Sequence, residues 1–156
     1  MLLWKVTNCC LVFSAIKIGF ESDTYNVRKD PTTALTYNNG PVFFVKEDGQ
    51  ISEQTFMILV QASGSTVPGT DIQPASINDD YQLLFSSNTS VVISFPPSAQ
   101  RVPFGFTILQ DSDPEETEAF LASSEPYGAP TYLNPTSLFA ETLITISSRP
   151  RGEPSA

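Results

Sequence analysis

Histidine is missing altogether from the 156 residues, and basic residues are scarce: Lys+Arg number 8 against 17 Asp+Glu, for a formal net charge of -9. The first absence removes the commonest general base, His-dependent triads and His-containing zinc sites. The second makes nucleic-acid backbones and anionic membrane surfaces repulsive partners, and cations natural ones. Cysteine is limited to Cys9 and Cys10. Neighbours in sequence rarely close an unstrained disulfide, so core packing has to hold the fold. Tryptophan occurs once, at Trp4, and no stretch is long and apolar enough to cross a membrane. Charged residues make up only 16% of the chain.

What is present points to strands. Hydrophobic residues reach 40%, with 13 prolines and 11 phenylalanines, a profile closer to strands and turns than to a helical bundle or a disordered chain. The length suits one domain with an ordinary core. Ile16, Ile18 and Phe20 alternate with Lys17 and Gly19, and Tyr25 and Val27 with Asn26 and Arg28, as half-buried strands do. Thr55 to Gln61 is β-branched and apolar at its centre, which predicts a strand buried on both faces. Tyr81 to Phe85, Ser90 to Phe95 and Val102 to Ile108 follow as strands, the last with Val102, Phe104, Phe106 and Ile108 on one face. Pro103 cannot donate to a ladder and so marks an edge or a strand's beginning. Ala62 to Asp80 reads as a long polar loop, and Asp113 to Phe120 is open between a turn and the start of a helix. Glu141 to Ile146 is the last strand, with Thr142, Ile144 and Ile146 on one face. Short strands separated by turn residues predict an all-β, Ig-like antiparallel sandwich of about seven strands.

The ends read differently. Residues 1–15 (MLLWKVTNCCLVFSA) have one lysine, an apolar stretch and a small final residue. They read either as a secretion signal or as the start of a fragment, Phe13 and Lys5 departing from the signal pattern. Residues 16–148 form the sandwich, and 149–156 (RPRGEPSA) read as a disordered tail. Asn88-Thr89-Ser90 is a glycosylation acceptor if the chain is exported, and otherwise a polar turn between Phe85 and Val91.

Taken together, the pieces resemble a Calx-beta domain, the sandwich found in sodium/calcium exchangers, integrin tails and tandem arrays of matrix and adhesion proteins. IGFESDTYNV (Ile18 to Val27) looks like its opening strand, and DDYQLLF (Asp79 to Phe85) like its Asp-Tyr motif. ILQDSDPEETEAF (Ile108 to Phe120) is similar to its acidic loop, the specific part, and SLFAETLITI (Ser137 to Ile146) to its closing strand. The resemblance implies calcium at one end of the sandwich, because a hard cation takes several oxygens at once. Position by position, Asp80 matches the Asp-Tyr aspartate, Asp111 and Glu115 match acidic-loop ligands, and Asp113 falls where the family offers a backbone carbonyl. Other positions depart: Lys29 stands where a glutamate ligand belongs, Gln110 replaces a loop aspartate, and Ser147, Ser148 and Arg149 replace a terminal aspartate run.

Each ligand exchanged for a base removes an attraction for calcium and adds a short-range repulsion. Calcium affinity is therefore expected to be low or lost, with Lys29 and Arg149 approaching Asp111, Asp113 or Glu115 as an ion-pair network in place of metal. The plainer reading of these acids is a solvated loop rim, with Asp111 and Asp113 capping a turn. The resemblance implies a binding or structural module, extracellular or at the cell surface, that contacts neighbouring domains or partner proteins. A calcium-responsive regulatory domain is the alternative. Catalysis has only paired carboxylates to draw on, Asp80 with Asp111 or Glu115 acting on a glycoside. Tyr25, Tyr37, Tyr81, Tyr127, Tyr132 and Trp4 are too scattered for a sugar platform, and phenylalanines in strands read as core. No catalytic residue is therefore assigned.

Overall fold

The computed structural model describes residues 18–30, 32–46, 55–86, 88–110, 117–127 and 138–147. Strands account for all the regular structure among them: β1 (Ile18–Phe20), β2 (Thr24–Arg28), β3 (Leu35–Tyr37), β4 (Phe43–Lys46), β5 (Phe56–Gly64), β6 (Gln73–Pro74), β7 (Tyr81–Leu83), β8 (Ser90–Phe95), β9 (Arg101–Pro103), β10 (Phe106–Ile108), β11 (Glu118–Pro126) and β12 (Glu141–Ser147). One layer is the sheet β2-β12-β11-β5-β8; the facing layer is split into β1-β4-β9 and β3-β10-β7. The split follows from two broken strands. β3 and β4 are separated by Asn38 to Val42, which contains the cis Gly40-Pro41 bond, and β9 and β10 by Phe104-Gly105. The continuous run expected over Val102 to Ile108 is thus two short strands serving two half-sheets.

Alternation sets the core. Phe56, Ile58 and Val60 are buried while Met57 and Leu59 are only half-buried, so β5 is covered fully on one face, which corrects the expectation of burial on both. Val27, Ile144 and Ile146 close the same layer from β2 and β12, and Thr142 is buried with them as expected. Rings then tie the layers together. Tyr81 lies flat on Phe120 at 3.9 Å and Phe106 meets Phe120 edge-on at 5.6 Å, while within the β1-β4-β9 half-sheet Phe20 stacks on its cross-strand partner Phe44 at 4.2 Å. Such pairs contribute about 0.5–1.5 kcal/mol each beyond their burial.

The segment open to a helical start proves to be strand from Glu118 onward. β11 is an interior strand, paired with β12 on one side and β5 on the other. The long loop after Ala62 is shorter than expected, since β5 runs on to Gly64 and β6 adds a parallel bridge to β11. Pro103 sits on an edge as predicted, because β9 pairs with β4 alone. Phe85 departs most from expectation: a left-handed φ of 63° turns it out of the strand, and it is 98% exposed. Asn88 is exposed in the turn before β8.

Candidate functional site

Strand register gathers the candidate residues at one end. Ile108 pairs with Tyr81 and with Leu35, so the end of β10 lies beside the starts of β7 and β3. Arg28 pairs with Ser147, and Ile146 with Glu118. Residues 29–34 join β2 to β3, and residues 109–117 join β10 to β11. These links close a circuit that places Lys29, Asp80, Gln110 and Ser147 around the same end. Asp111, Asp113, Glu115, Ser148 and Arg149 lie outside the described residues, and so do the ion pairs expected of Arg149.

Asp80 is half-buried and already engaged. Its Oδ2 accepts the backbone N–H of Ser76 at 2.7 Å, while its own N–H donates to the Ser76 carbonyl at 2.8 Å. Asn78, between them, has a φ of 71°, and its N–H reaches the Tyr81 carbonyl at 2.7 Å. The Asp80 carbonyl in turn accepts the Leu109 N–H at 2.9 Å, fixing the start of β7 to the end of β10. A carboxylate accepting a backbone N–H at a turn is a charge-assisted fastening, stronger than a neutral hydrogen bond. Beside it, the Tyr81 hydroxyl is pushed up to about 12, first by burial and then by the Asp80 charge.

Lys29 is buried, 5% exposed, and its backbone N–H donates to the Ser147 carbonyl at 3.0 Å. This backbone bond extends the parallel seam between β2 and β12 by one residue, and the buried side chain brings a base into the end of the sandwich. Gln110 is exposed. Sequence reading passed over Asp30, which also sits here. Its Oδ1 accepts the Thr32 N–H at 2.7 Å, the Thr32 hydroxyl at 2.8 Å and the Thr33 N–H at 3.2 Å. Asp followed by Pro and two threonines is a turn signature that could have shown this.

Calcium takes six to eight oxygens. Among the described residues no three acidic or cysteine side chains cluster closely enough to hold a metal ion. Asp30 and Asp80 close turns with carboxylate oxygens, and Lys29 adds positive charge. These donors by themselves do not fit a calcium ion.

The opposite end holds a second buried lysine. Lys46, 4% exposed, closes β4 with its ammonium 5.1 Å from the Phe95 ring and 6.0 Å from that of Phe56. Burial lowers its affinity for the proton. On the surface nearby, Arg101 lies 3.6 Å over the Phe43 ring and pairs with Glu21 at 2.8 Å.

No protein-family model matches the chain, and no curated protein matches it. Solved structures do. The apo-form Calx CBD1 domain is similar over 87% of this chain and 99% of that one, with a TM-score of 0.58 and 18% identity. The Calx CBD2 domain is similar over 86% and 87%, with a TM-score of 0.57 and 13% identity. CBD12 from CALX1.2 gives a TM-score of 0.60 at 17% identity; 85% of this chain is covered but only 44% of that one. At such identities the likeness shows the fold: this chain has the sandwich of the Calx CBD domains, as the landmarks in its sequence implied. Among the described residues no helix is long and apolar enough to cross a membrane.

Proposed function

We infer that the chain is a non-enzymatic binding or structural module of Calx-beta type, outside the cell or at its surface, whose calcium end is reduced. The observation that carries this reading is the pairing of two facts at one end of the fold. Lys29, at the position the resemblance gives to a glutamate ligand, is buried, and Asp80 uses a carboxylate oxygen to close the 76–80 turn. Loops that are fastened by protein groups need no metal to hold them. The absence of histidine and of an aromatic platform supports a module without catalysis.

A calcium-responsive domain is the second reading. It is favoured by the acids Asp111, Asp113 and Glu115 in the sequence and by a structural neighbour described as the calcium binding domain CBD12 of CALX1.1. Thermal unfolding in calcium against chelator separates the two, because binding to the native state raises the midpoint. The reduced end gives the same midpoint in chelator and in calcium at about 100 μM, whereas a working site with micromolar affinity raises it by several degrees.

A further inference from the structure

Among the described residues, the side of the sandwich away from β1 and β2 is open. β7 pairs with β10 and ends at Leu83, and no described strand lies on the flank of β9. Opposite it, β8 is the edge of the other layer. Val91 and Ile93 pair with the buried Val60 and Ile58 and so face the core, yet both stay partly exposed. Between the two edges is a cleft of about 380 Å³, walled chiefly by Leu84, Val91, Ile93, Val102 and Phe104. That is the size of a small ligand pocket, about 300–1,000 Å³.

Three observations set this cleft apart from an ordinary surface groove. Its lining contains no charged side chain, in a chain whose net charge is -9. Two copies repel one another over most of their surface, and here they meet without charge. The two edges are also unequal. Pro103 blunts β9, whereas β8 (SVVISF) carries neither proline nor charge, the devices that commonly protect a free edge. Finally, Phe85 stands on the rim, 98% exposed and held at a φ of 63°. That backbone region is a steric outlier for a bulky residue, and such outliers cluster at binding sites.

An apolar knob beside an apolar hole on one face is self-complementary. We propose that a second copy of this chain docks here by a two-fold arrangement in which the β8 edges pair antiparallel and Phe85 of each copy enters the cleft of the other. A two-fold interface uses the same patch on both subunits, so one knob and one hole per chain suffice. Two buried phenylalanines supply roughly 300–500 Å², well short of the roughly 1,200 Å² of a stable interface, and pairing of the β8 edges adds to it. The dimer is accordingly weak. This assignment rests on the reading of the chain as an interaction module and names its partner.

Sedimentation velocity in chelator, from about 1 μM to about 1 mM, tests it over the range expected of a small interface. The wild type shifts from monomer to dimer. Phe85→Gly removes the knob and relieves the left-handed strain, so its dissociation constant rises at least about tenfold while its midpoint at low concentration is unchanged or higher. Val92→Lys places a charge on the edge and also abolishes the shift. A wild type that stays monomeric throughout overturns the proposal, as does a dimer that both variants form equally well. Because the experiment contains no calcium, its failure is separate from any failure of the reduced calcium end, which is read from the calcium-dependent midpoint.

Discussion

The acidic end and the β8 side present opposite conditions. At the acidic end, protein groups hold the loops: Asp80 holds the 76–80 turn and Lys29 is buried against the seam with β12, both singled out in the sequence, while Asp30, which was not, holds the turn after β2. On the β8 side, residues that say little in sequence leave an apolar cleft, a bare edge and an exposed ring. A recognisable motif therefore says more about fold than about which groups its side chains engage. An open surface is visible only once strand order is known.

Phenylalanine gives the largest test of that contrast. Phe120 joins Tyr81 and Phe106 beneath the acidic end, so Phe120→Ala is expected to cost about 3–5 kcal/mol in urea unfolding. Phe85→Ala, on the β8 side, is expected to change monomer stability by less than about 0.5 kcal/mol. Equal losses would break the contrast between a closed end and an open side.

Asp80→Ala removes a charge-assisted bond to the Ser76 N–H and should lower stability by about 2 kcal/mol, with or without calcium. A loss seen only in calcium would return Asp80 to metal binding. Tyr81 sharpens the same point through pH. Its raised proton affinity means that the folded state stays protonated above pH 10, where the unfolded chain ionises. The native state then holds more protons, so stability falls as pH rises from 10 towards about 12, by at most about 3 kcal/mol. Tyr81→Phe removes that decline, and Asp80→Ala lessens it, in unfolding curves collected across this range.

The smallest effect lies at the other buried lysine. Burial lowers the Lys46 pKa from 10.5, so the unfolded chain binds the extra proton more readily and stability rises with pH up to that value. Lys46→Met should remove this rise and add about 1 kcal/mol at neutral pH, net of the cation–π contact with Phe95. A destabilised Lys46→Met would mean that the ammonium contributes more than its burial costs.

Much of the fold was legible because alternation and turn residues agree with tertiary pairing in β2, β8 and β12. β11 was not, because Asp-Pro followed by acids imitates a helix start, and EAFLASSEP has no β-branched residue. Pairing with β5 and β12 on both sides overrides that local preference. Phe85 continues the alternation of Tyr81 and Leu83 in sequence and so read as core; one backbone angle reverses it. At the site, the resemblance to Calx-beta domains located Asp80, Lys29, Gln110 and Ser147, and topology gathers these four. Sequence could not show that Asp80 closes its own turn, since its acceptor role depends on where Ser76 returns in space.

The claim that the acidic end is fastened by protein groups in place of metal is tested most directly by calorimetric titration of calcium into the wild-type chain. No saturable heat is expected at micromolar calcium. A stoichiometric isotherm with a micromolar dissociation constant would contradict it.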